Sequence, residues 1–365
     1  MADYRYYFHE LLSNRRIMEL PLEGVTFGRK LNGTGSFQGY FGLDREGFDN
    51  ASVLEATAEG KVCLYITRDD YPVWGGIIWS TLWTEQSGTL QLNGATFDSY
   101  FDKVDIERTL NYVNVDQRNI MIDLIVNMQS KPSRNIRIVT PAKFTNASTN
   151  ITRTERFNDY EVWRYSKAIE QLVAYDNSFD YYIDVRYNER EEFERFLCIG
   201  NQLGATAETS TLSFNYPGNI ANFYYPSNAG KGATTIRGIG AGEGVSMYRT
   251  TVTNEHLLSR GYPEVVQFYT DKALYGGEKL QSAATQELRR LSIPYVTPTF
   301  EVNPEMDPQF GSYMLGDSVK MLIESARFPG GKIFVDRIIG WDVTPTRSDS
   351  QEQVSLTLER SSADE

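Results

Sequence analysis

The sequence predicts an α+β protein that is rich in β-structure. Aromatic residues make up 13% of the 365 residues, with 23 tyrosines and 19 phenylalanines, and aromatic side chains favour strands and protein contacts. Short runs of alternating apolar and polar residues, separated by glycine, fill the first hundred residues and return near the C-terminus. Apolar residues at helical spacing lie between these regions. We therefore expect a β-rich region at each end of the chain with helices between them.

Residues 1–105 are predicted to form a small antiparallel barrel or sandwich. In LPLEGVTFGRKL the apolar positions alternate, as at Val25 and Phe27, which is typical of a half-buried strand. The Asp69-Asp70 pair at the end of KVCLYITRDD indicates a turn after that strand. The other predicted strands of this region are SFQGYFGL, KVCLYITRDD, YPVWGGIIWSTLW and TLQLNGA.

Residues 106–210 are predicted to be an α/β module. VDQRNIMIDLIVNMQS has apolar residues at helical spacing, and Asp116 can cap its N-terminus. A second helix is predicted in YEVWRYSKAIEQLVAYD, with one apolar face: Val162, Ile169, Leu172 and Val173. The segments FDYYIDVRY and FERFLCIG are predicted strands.

The rest of the chain divides into a second β-rich region, 211–250 and 305–361, and an insertion, 251–304, with one helix. The predicted helix is GEKLQSAATQELRRLSIP, in which Pro294 prevents continuation. Its apolar line consists of Leu280, Ala283, Ala284, Leu288 and Leu291. Gly316 and Asp317 indicate a turn into the strand VKMLIE. The predicted strands are LSFNYPGNI, ATTIRGIG, GVSMYRTTVT, SYMLGDSVKMLIES, KIFVDRIIGWDV and EQVSLTLER.

Composition excludes several classes of function. The formal net charge of -12 would repel a polyanion, so specific nucleic-acid binding is not expected. Cys63 and Cys198 lack CxxC partners, which excludes a zinc ribbon or a disulfide scaffold and predicts buried free thiols. The first residues lack the apolar segment of a signal peptide, and no apolar run is long enough to span a membrane.

The run GIGAGEG contains Gly238, Gly240, Gly242 and Gly244. A dinucleotide fingerprint needs a further glycine where Glu243 or Val245 stands, and it opens a helix, whereas a β-branched segment follows here. The carboxylate of Glu243 would also repel a phosphate. We interpret the run as a structural connection between two strands, and we expect no cofactor.

No catalytic or metal site is predicted. The two histidines, His9 and His256, lie far apart and outside any metal motif, so both are expected at the surface or an interface. The segment 189–195, EREEFER, is interpreted as a solvated edge with mutual charge pairing. Asp176, Asp180 and Asp184 recur every fourth residue, which is not the spacing of a calcium loop.

The tryptophans Trp74, Trp79 and Trp83 lie close together in the sequence and could form a sugar-stacking platform. On a regular strand Trp74 and Trp79 face opposite sides, unless Gly75-Gly76 makes a bulge. We interpret them as core or subunit-interface aromatics in preference to a sugar-stacking platform.

Several segments in order resemble minor tail proteins of long-tailed bacteriophages (siphoviruses), above all the tail or baseplate hub group from phages of actinobacteria. The segments are LPLEGVTFGRKLNGTGSF, YPVWGGIIWS, FNYPGNI, IRGIGAGEG, YMLGDSVKMLIE and DRIIGWDVTP. The resemblance covers most of the chain. It implies a structural virion protein without enzymatic activity, with two tail-tube-like β-barrel domains, inserted modules and a homotrimeric ring at the tail tip.

The resemblance also implies partners: a distal tail protein or the tail tube, the tape measure protein and other baseplate proteins. The protein would be assembled in the host cytoplasm. If acidic residues lined the pore of such a ring, like charge would let DNA pass without adhering.

Two alternatives stay open at this point. The abundance of carboxylates, 48 Asp and Glu, would suit a cell-wall hydrolase with paired carboxylates. The tryptophan-rich segment would suit a module that binds host glycans.

Overall fold

The protein is described by a computed structural model, which covers residues 2–43, 45–145, 150–175, 177–228, 232–272, 274–291, 295–296, 299–345 and 351–359. Contacts divide the chain into two compact units. The first unit comprises Met1–Ile169, Phe179–Phe223 and Thr299–Glu365, and the second comprises Glu170–Ser178 and Tyr224–Pro298. The predicted four-part division of the chain stays a prediction.

The N-terminal part of the first unit consists of strands joined by short turns. The strands are β1 Tyr4–Glu10, β2 Arg16–Glu19, β3 Glu23–Lys30, β4 Ser36–Gly42, β5 Val62–Arg68, β6 Tyr71–Thr84 and β7 Thr89–Thr96, and α1 Asn50–Ala56 lies between β4 and β5. Asp69 and Asp70 have φ of 50° and 65°, the left-handed pair that a two-residue hairpin turn requires between β5 and β6.

The segment that follows alternates helices and strands. Asp116 caps the first long helix as predicted, because its side chain accepts a hydrogen bond from the backbone N–H of Arg118 at 2.8 Å. The elements are β8 Leu110–Asp116, α2 Gln117–Met128, β9 Ile138–Val139, β10 Thr152–Phe157, α3 Tyr165–Val173, β11 Asp180–Tyr187 and β12 Phe193–Gly200. Val162 lies before the second helix, in a left-handed turn and 73% exposed, so its predicted place on the apolar helix face is wrong.

The C-terminal strands of the first unit return to the large sheet. They are β13 Ser213–Tyr216, β14 Ile220–Tyr224, β20 Thr299–Val302, β21 Ser318–Ser325, β22 Phe328–Thr344 and β23 Gln353–Glu359. Strands β15 to β19 belong to the second unit and are described below. Together with β1–β7 they form a 13-stranded sheet in the order β14-β20-β23-β22-β3-β4-β7-β6-β5-β1-β2, to which β21 and β13 are added through β22. The pairings from β20 to β2 are antiparallel.

The N-terminal and C-terminal strand groups meet where β3 pairs with β22. Gly28 on β3 lies opposite Asp342 on β22, and a Cβ at Gly28 would come within 2.1 Å of the Asp342 carboxylate. The backbone carbonyl of Gly28 also accepts a hydrogen bond from the Trp74 indole N–H at 2.8 Å. Glycine is therefore required at this junction by close approach of neighbouring groups.

The second unit contains a small helix-covered sheet. Its elements are β15 Ser227–Asn228, β16 Thr235–Ile239, β17 Arg249–Thr253, α4 Glu255–Ser259, β18 Val266–Thr270, α5 Gly277–Arg290 and β19 Tyr295–Val296. The sheet has the order β17-β16-β18, and one core joins Ile236 on its central strand to Ala284 and Leu288 of α5. The predicted late helix is thus confirmed, and Pro294 lies outside the described residues.

The prediction of a β-rich, mainly antiparallel chain with few helices is confirmed. Among the described residues, the pairings of the large sheet run as an open path that ends at β14 and β2. No helix in the described part of the chain combines the length and apolar character that a membrane crossing requires.

Candidate assembly surfaces

A buried arginine fixes the first unit internally. Arg195 on β12 is 1% exposed and donates hydrogen bonds to the backbone carbonyls of Leu11, at 2.9 Å, and Ile136. It also donates to the hydroxyl of Tyr65 at 2.8 Å and lies 3.1 Å from the thiol of Cys63. One guanidinium therefore joins segments that are far apart in the sequence, using the five donors that only arginine offers.

This placement corrects the interpretation of the segment 189–195. Glu194 pairs with Arg186, outside the segment, at 2.7 Å, and Glu189 and Arg190 are exposed. Arg195 is not part of that edge, because alternation along β12 turns it inward. Among the described residues it has no carboxylate partner, so neutral oxygens stabilise its charge in the interior.

His9 and Cys63 belong to the same interior, in which the Cys63 thiol donates to the carbonyl oxygen of His9 at 3.5 Å. His9 is 6% exposed, so its predicted surface position is wrong, whereas His256 is exposed as predicted. Burial lowers the pKa of His9, whose Nδ1 lies 2.9 Å from the carbonyl oxygen of Asn14. Burial raises the pKa of the Cys63 thiol, which keeps it protonated and unreactive. Cys63 and Cys198 are both free, and Cys198 is half-buried.

The three tryptophans on β6 have three different environments. Trp74 is fully buried, whereas the register of β6 with β7 shifts between Ile78 and Ser80, which makes Trp79 the bulged residue. The half-buried Trp79 donates a hydrogen bond to the Ser99 hydroxyl at 2.8 Å. Trp83 is 41% exposed. The interface role of this group stays a prediction, and only Trp83 presents a large surface for it.

The glycines Gly238, Gly240, Gly242 and Gly244 lead from β16 toward β17. Gly238 lies on β16, and a Cβ there would come within 2.7 Å of the Thr250 side chain. Gly242 and Gly244 have φ of 98° and 54° in the connection, which glycine adopts without strain. Their structural role, rather than a ligand-binding one, stays a prediction.

The outer face of the β21–β22 hairpin carries several exposed apolar side chains. Leu322 lies directly opposite Ile333, and Lys320 lies opposite Val335. Leu322, Ile333 and Val335 are 40%, 50% and 39% exposed, whereas Met321 and Phe334 point into the core. Exposed aliphatic side chains that cluster on one sheet face are typical of a protein contact.

The β2 end of the large sheet differs from that face. At β2, Arg16 and Glu19 form an ion pair of 2.9 Å at the sheet edge. Charged side chains on an edge strand discourage unspecific pairing with other chains.

A surface cavity of about 450 Å³ lies between β8 and α2. Among its lining residues the only carboxylate is Asp123, which forms an ion pair with Lys143 at 2.7 Å. Of the three aspartates considered above for calcium, Asp184 pairs with Arg29 and Asp180 with Arg337, while Asp176 lies outside the described residues. The cavity therefore lacks the carboxylate pair that a hydrolase of this kind needs.

The fold is similar to known tail proteins, although a scan against protein-family models and a search of curated proteins found no match. A tail protein from Neisseria meningitidis aligns with TM-score 0.61 and 14% identity, over 97% of this chain and 96% of that chain. The 43 kDa tail protein of prophage MuSo2 from Shewanella oneidensis aligns with TM-score 0.63 and 10% identity, over 98% of both chains.

A third similar structure comes from a bacterial secretion system. It is an E. coli protein described as a component of the type VI secretion system with structural similarity to the T4 bacteriophage tail proteins gp27 and gp5. It aligns with TM-score 0.50 and 10% identity, over 94% of this chain and 75% of that chain. The chain thus has the fold of these tail proteins, which confirms the resemblance that its sequence showed.

Proposed function

We propose that this protein is a structural component of the virion, a hub at the tail tip that joins the tail tube to the host-recognition apparatus. The single observation that carries the proposal is the match in fold along nearly the whole chain to tail proteins of similar length. Because the alignment covers nearly the whole length of both chains, the two proteins share the arrangement of all their domains, and the similarity is not limited to one common domain. In this role the protein has no enzymatic activity.

The two strand groups of the large sheet are the proposed tube-like domains. Strands β1–β7 form the first, within residues 1–105, and strands β13, β14 and β21–β23 form the second, within 211–250 and 305–361. The pairing of β3 with β22 makes them neighbours in one continuous sheet. Three copies would place six such domains around an axis, which suits a ring that continues a sixfold tube.

The outer face of β21–β22 is the proposed contact between copies in the trimer. Moving Leu322, Ile333 and Val335 out of water would stabilise the assembly by about 25 cal/mol for each Å² of apolar surface. The proposed partners beyond the trimer are the distal tail protein or tail tube, the tape measure protein and other baseplate proteins. A pore lined by acidic residues would let DNA pass.

Light scattering on the purified full chain tests the trimer. We expect the mass of three copies for the natural protein, and a loss of that mass for Ile333→Asp, which puts a charge into the proposed contact. Val113→Asp is the matched control, since Val113 is 64% exposed on β8 and outside the contact. A monomer at every concentration would contradict the proposal, as would release of sugar or peptide fragments from peptidoglycan.

A further inference from the structure

Among the described residues, the small sheet of the second unit exposes the face opposite α5 around Arg237 and Phe268. Ile236 on β16 packs on α5, so its neighbours Arg237 and Ile239 face the other way. The register places Arg237 between Thr251 on β17 and Phe268 on β18. We call this surface the arginine face, and it consists of Arg237, Ile239, Arg249, Thr251, Phe268 and Thr270.

The two central side chains of the arginine face are available for binding. Phe268 is 66% exposed, although phenylalanine side chains are usually buried. Its ring therefore contributes little to the stability of its own chain. Arg237 is exposed and forms no ion pair with any carboxylate in the described residues. Arginine and aromatic residues, phenylalanine included, are enriched at protein interfaces relative to the rest of the surface.

The residue types of this face favour a protein over a sugar or a nucleic acid. The three strands contain two arginines and no aspartate, glutamate or lysine, which matches the composition of interface centres. The arginine face carries no carboxylate or amide side chain to bind sugar hydroxyls. The chain's charge of -12 would oppose a nucleic acid, which carries a phosphate at every nucleotide.

The charge of the chain itself indicates the partner. Residues 224–298 contain eight Lys and Arg against six Asp and Glu, although the whole chain has 36 against 48. The remainder of the chain is therefore strongly acidic, with 36 − 8 = 28 basic and 48 − 6 = 42 acidic residues. A second copy thus offers the complementary charge in abundance.

We propose that the arginine face docks on a carboxylate-rich surface of a second copy of this chain. Arg237 and Arg249 meet carboxylates of that copy, and the ring of Phe268 is removed from water between them. This inference rests on the proposed trimer, to which it adds a second contact besides the outer face of β21–β22. It also gives the small sheet of the second unit a role, which is to hold neighbouring copies together.

Site-specific photo-crosslinking of the full chain tests the proposal. Phe268 is replaced by a benzophenone amino acid, and the protein is irradiated at a concentration where light scattering gives the trimer mass. We expect crosslinked chains whose joined peptide is rich in Asp and Glu and lies outside 224–298. The same amino acid in place of Tyr275, which is 74% exposed in the second unit but outside the arginine face, should give few such products.

Charge reversal supplies the second measurement. We expect Arg237→Glu to reduce the crosslinking yield about tenfold, which corresponds to the loss of one interface arginine. Arg260→Glu makes the same charge change at another exposed arginine of this unit and should leave the yield unchanged. Rising salt concentration should reduce the yield as well, because the contact is between opposite charges.

Four results would overturn the proposal. A trimer that gives no crosslinks from position 268, or equal yields for both arginine variants, would remove the arginine face and leave the hub function standing. Crosslinks from one arginine face to another would contradict the charge argument. Failure of the natural protein to form a trimer would remove the docking proposal and the hub together.

Discussion

Arg195 and Arg237 both lie on strands, but Arg195 is buried in the first unit and Arg237 is exposed in the second unit. Arg195 is 1% exposed in the first unit and bonded to backbone carbonyls, a phenol and a thiol. Arg237 is exposed on the small sheet of the second unit, beside the exposed ring of Phe268. The same residue type thus fixes the interior in one region and presents a free charge in the other.

The interior of the first unit depends on contacts within its own chain, whereas the exposed face of the second unit is the surface that we propose for a partner. The first unit buries large side chains and satisfies polar ones inside, so removing a buried side chain that packs or hydrogen-bonds there should reduce the free energy of unfolding. The second unit has a small core around Ile236 and a bare face, so substitutions on that face should change assembly and leave stability unchanged. Four predictions about stability, with their controls, test this contrast.

The largest effect is expected for Arg195→Met. The apolar chain leaves the carbonyls of Leu11 and Ile136 and the hydroxyl of Tyr65 without their donor, and each unsatisfied buried group costs about 1–3 kcal/mol. We expect denaturant unfolding to show a loss of about 4–6 kcal/mol. Arg190→Met, at an exposed site in the same hairpin, should cost less than about 0.5 kcal/mol. Equal losses of unfolding free energy for Arg195→Met and Arg190→Met would contradict a stabilising role of the buried Arg195.

Trp74→Ala should come next, with a loss of about 3–5 kcal/mol in the free energy of unfolding. Trp74 is fully buried, lies 5.4 Å from the ring of Phe37, and bonds to the carbonyl of Gly28 at the junction of the strand groups. Trp83→Ala on the same strand removes an exposed ring and should be nearly neutral for the isolated chain. A large destabilisation by Trp83→Ala would show that this ring packs inside its own subunit.

Asp98→Asn should make the protein more stable at neutral pH. Burial raises the pKa of Asp98 to about 6 from its ordinary 3.8, so the folded state binds more protons than the unfolded state between these values. Stability contributed by this group is therefore present below about pH 4 and lost as the pH rises to about 6, by roughly 2–3 kcal/mol.

The amide keeps an oxygen for the hydrogen bond from the Thr34 hydroxyl, at 3.0 Å, but cannot ionise. Denaturant titrations of both proteins at pH 4, 5, 6 and 7 should agree most nearly at pH 4 and diverge above it. The same dependence on pH in both proteins would contradict a buried, ionising Asp98.

The smallest losses of stability are expected for alanine substitutions at two glycines of the second unit. Gly242→Ala combines a φ of 98° with a Cβ position 2.6 Å from the Ser246 carbonyl oxygen, and should cost about 1–3 kcal/mol. Gly244→Ala has a φ of 54° and nothing within 4 Å, so about 1 kcal/mol is expected. Thermal unfolding of the two variants compares them. A larger loss for Gly244→Ala would contradict the described packing of this connection.

Local patterns predicted the elements of this fold well. The apolar spacing and the Asp116 cap predicted α2, and the line from Leu280 to Leu288 predicted α5. Alternation predicted β11 and β12 within a residue or two. These features depend on neighbours in the sequence, and so they can be recognised without knowing the fold.

Features that depend on distant segments could not be predicted in the same way. Arg195 and His9 were expected to be exposed because of their polarity, but carbonyls of Leu11, Ile136 and Asn14 make their burial possible. The bulge at Trp79 is set by its pairing with β7 and not by the nearby glycines. The bare face around Phe268 gave no signal, since an alternating strand predicts two faces without showing which is covered.

The central claim is that three copies of this chain surround an axis and place two tube-like domains each around a pore. A single-particle reconstruction of the purified full chain, or of the tail tip that contains it, tests this most directly. We expect threefold symmetry with six similar β-domains in one ring. Particles that hold one copy, or a ring with any number of copies other than three, would contradict the claim.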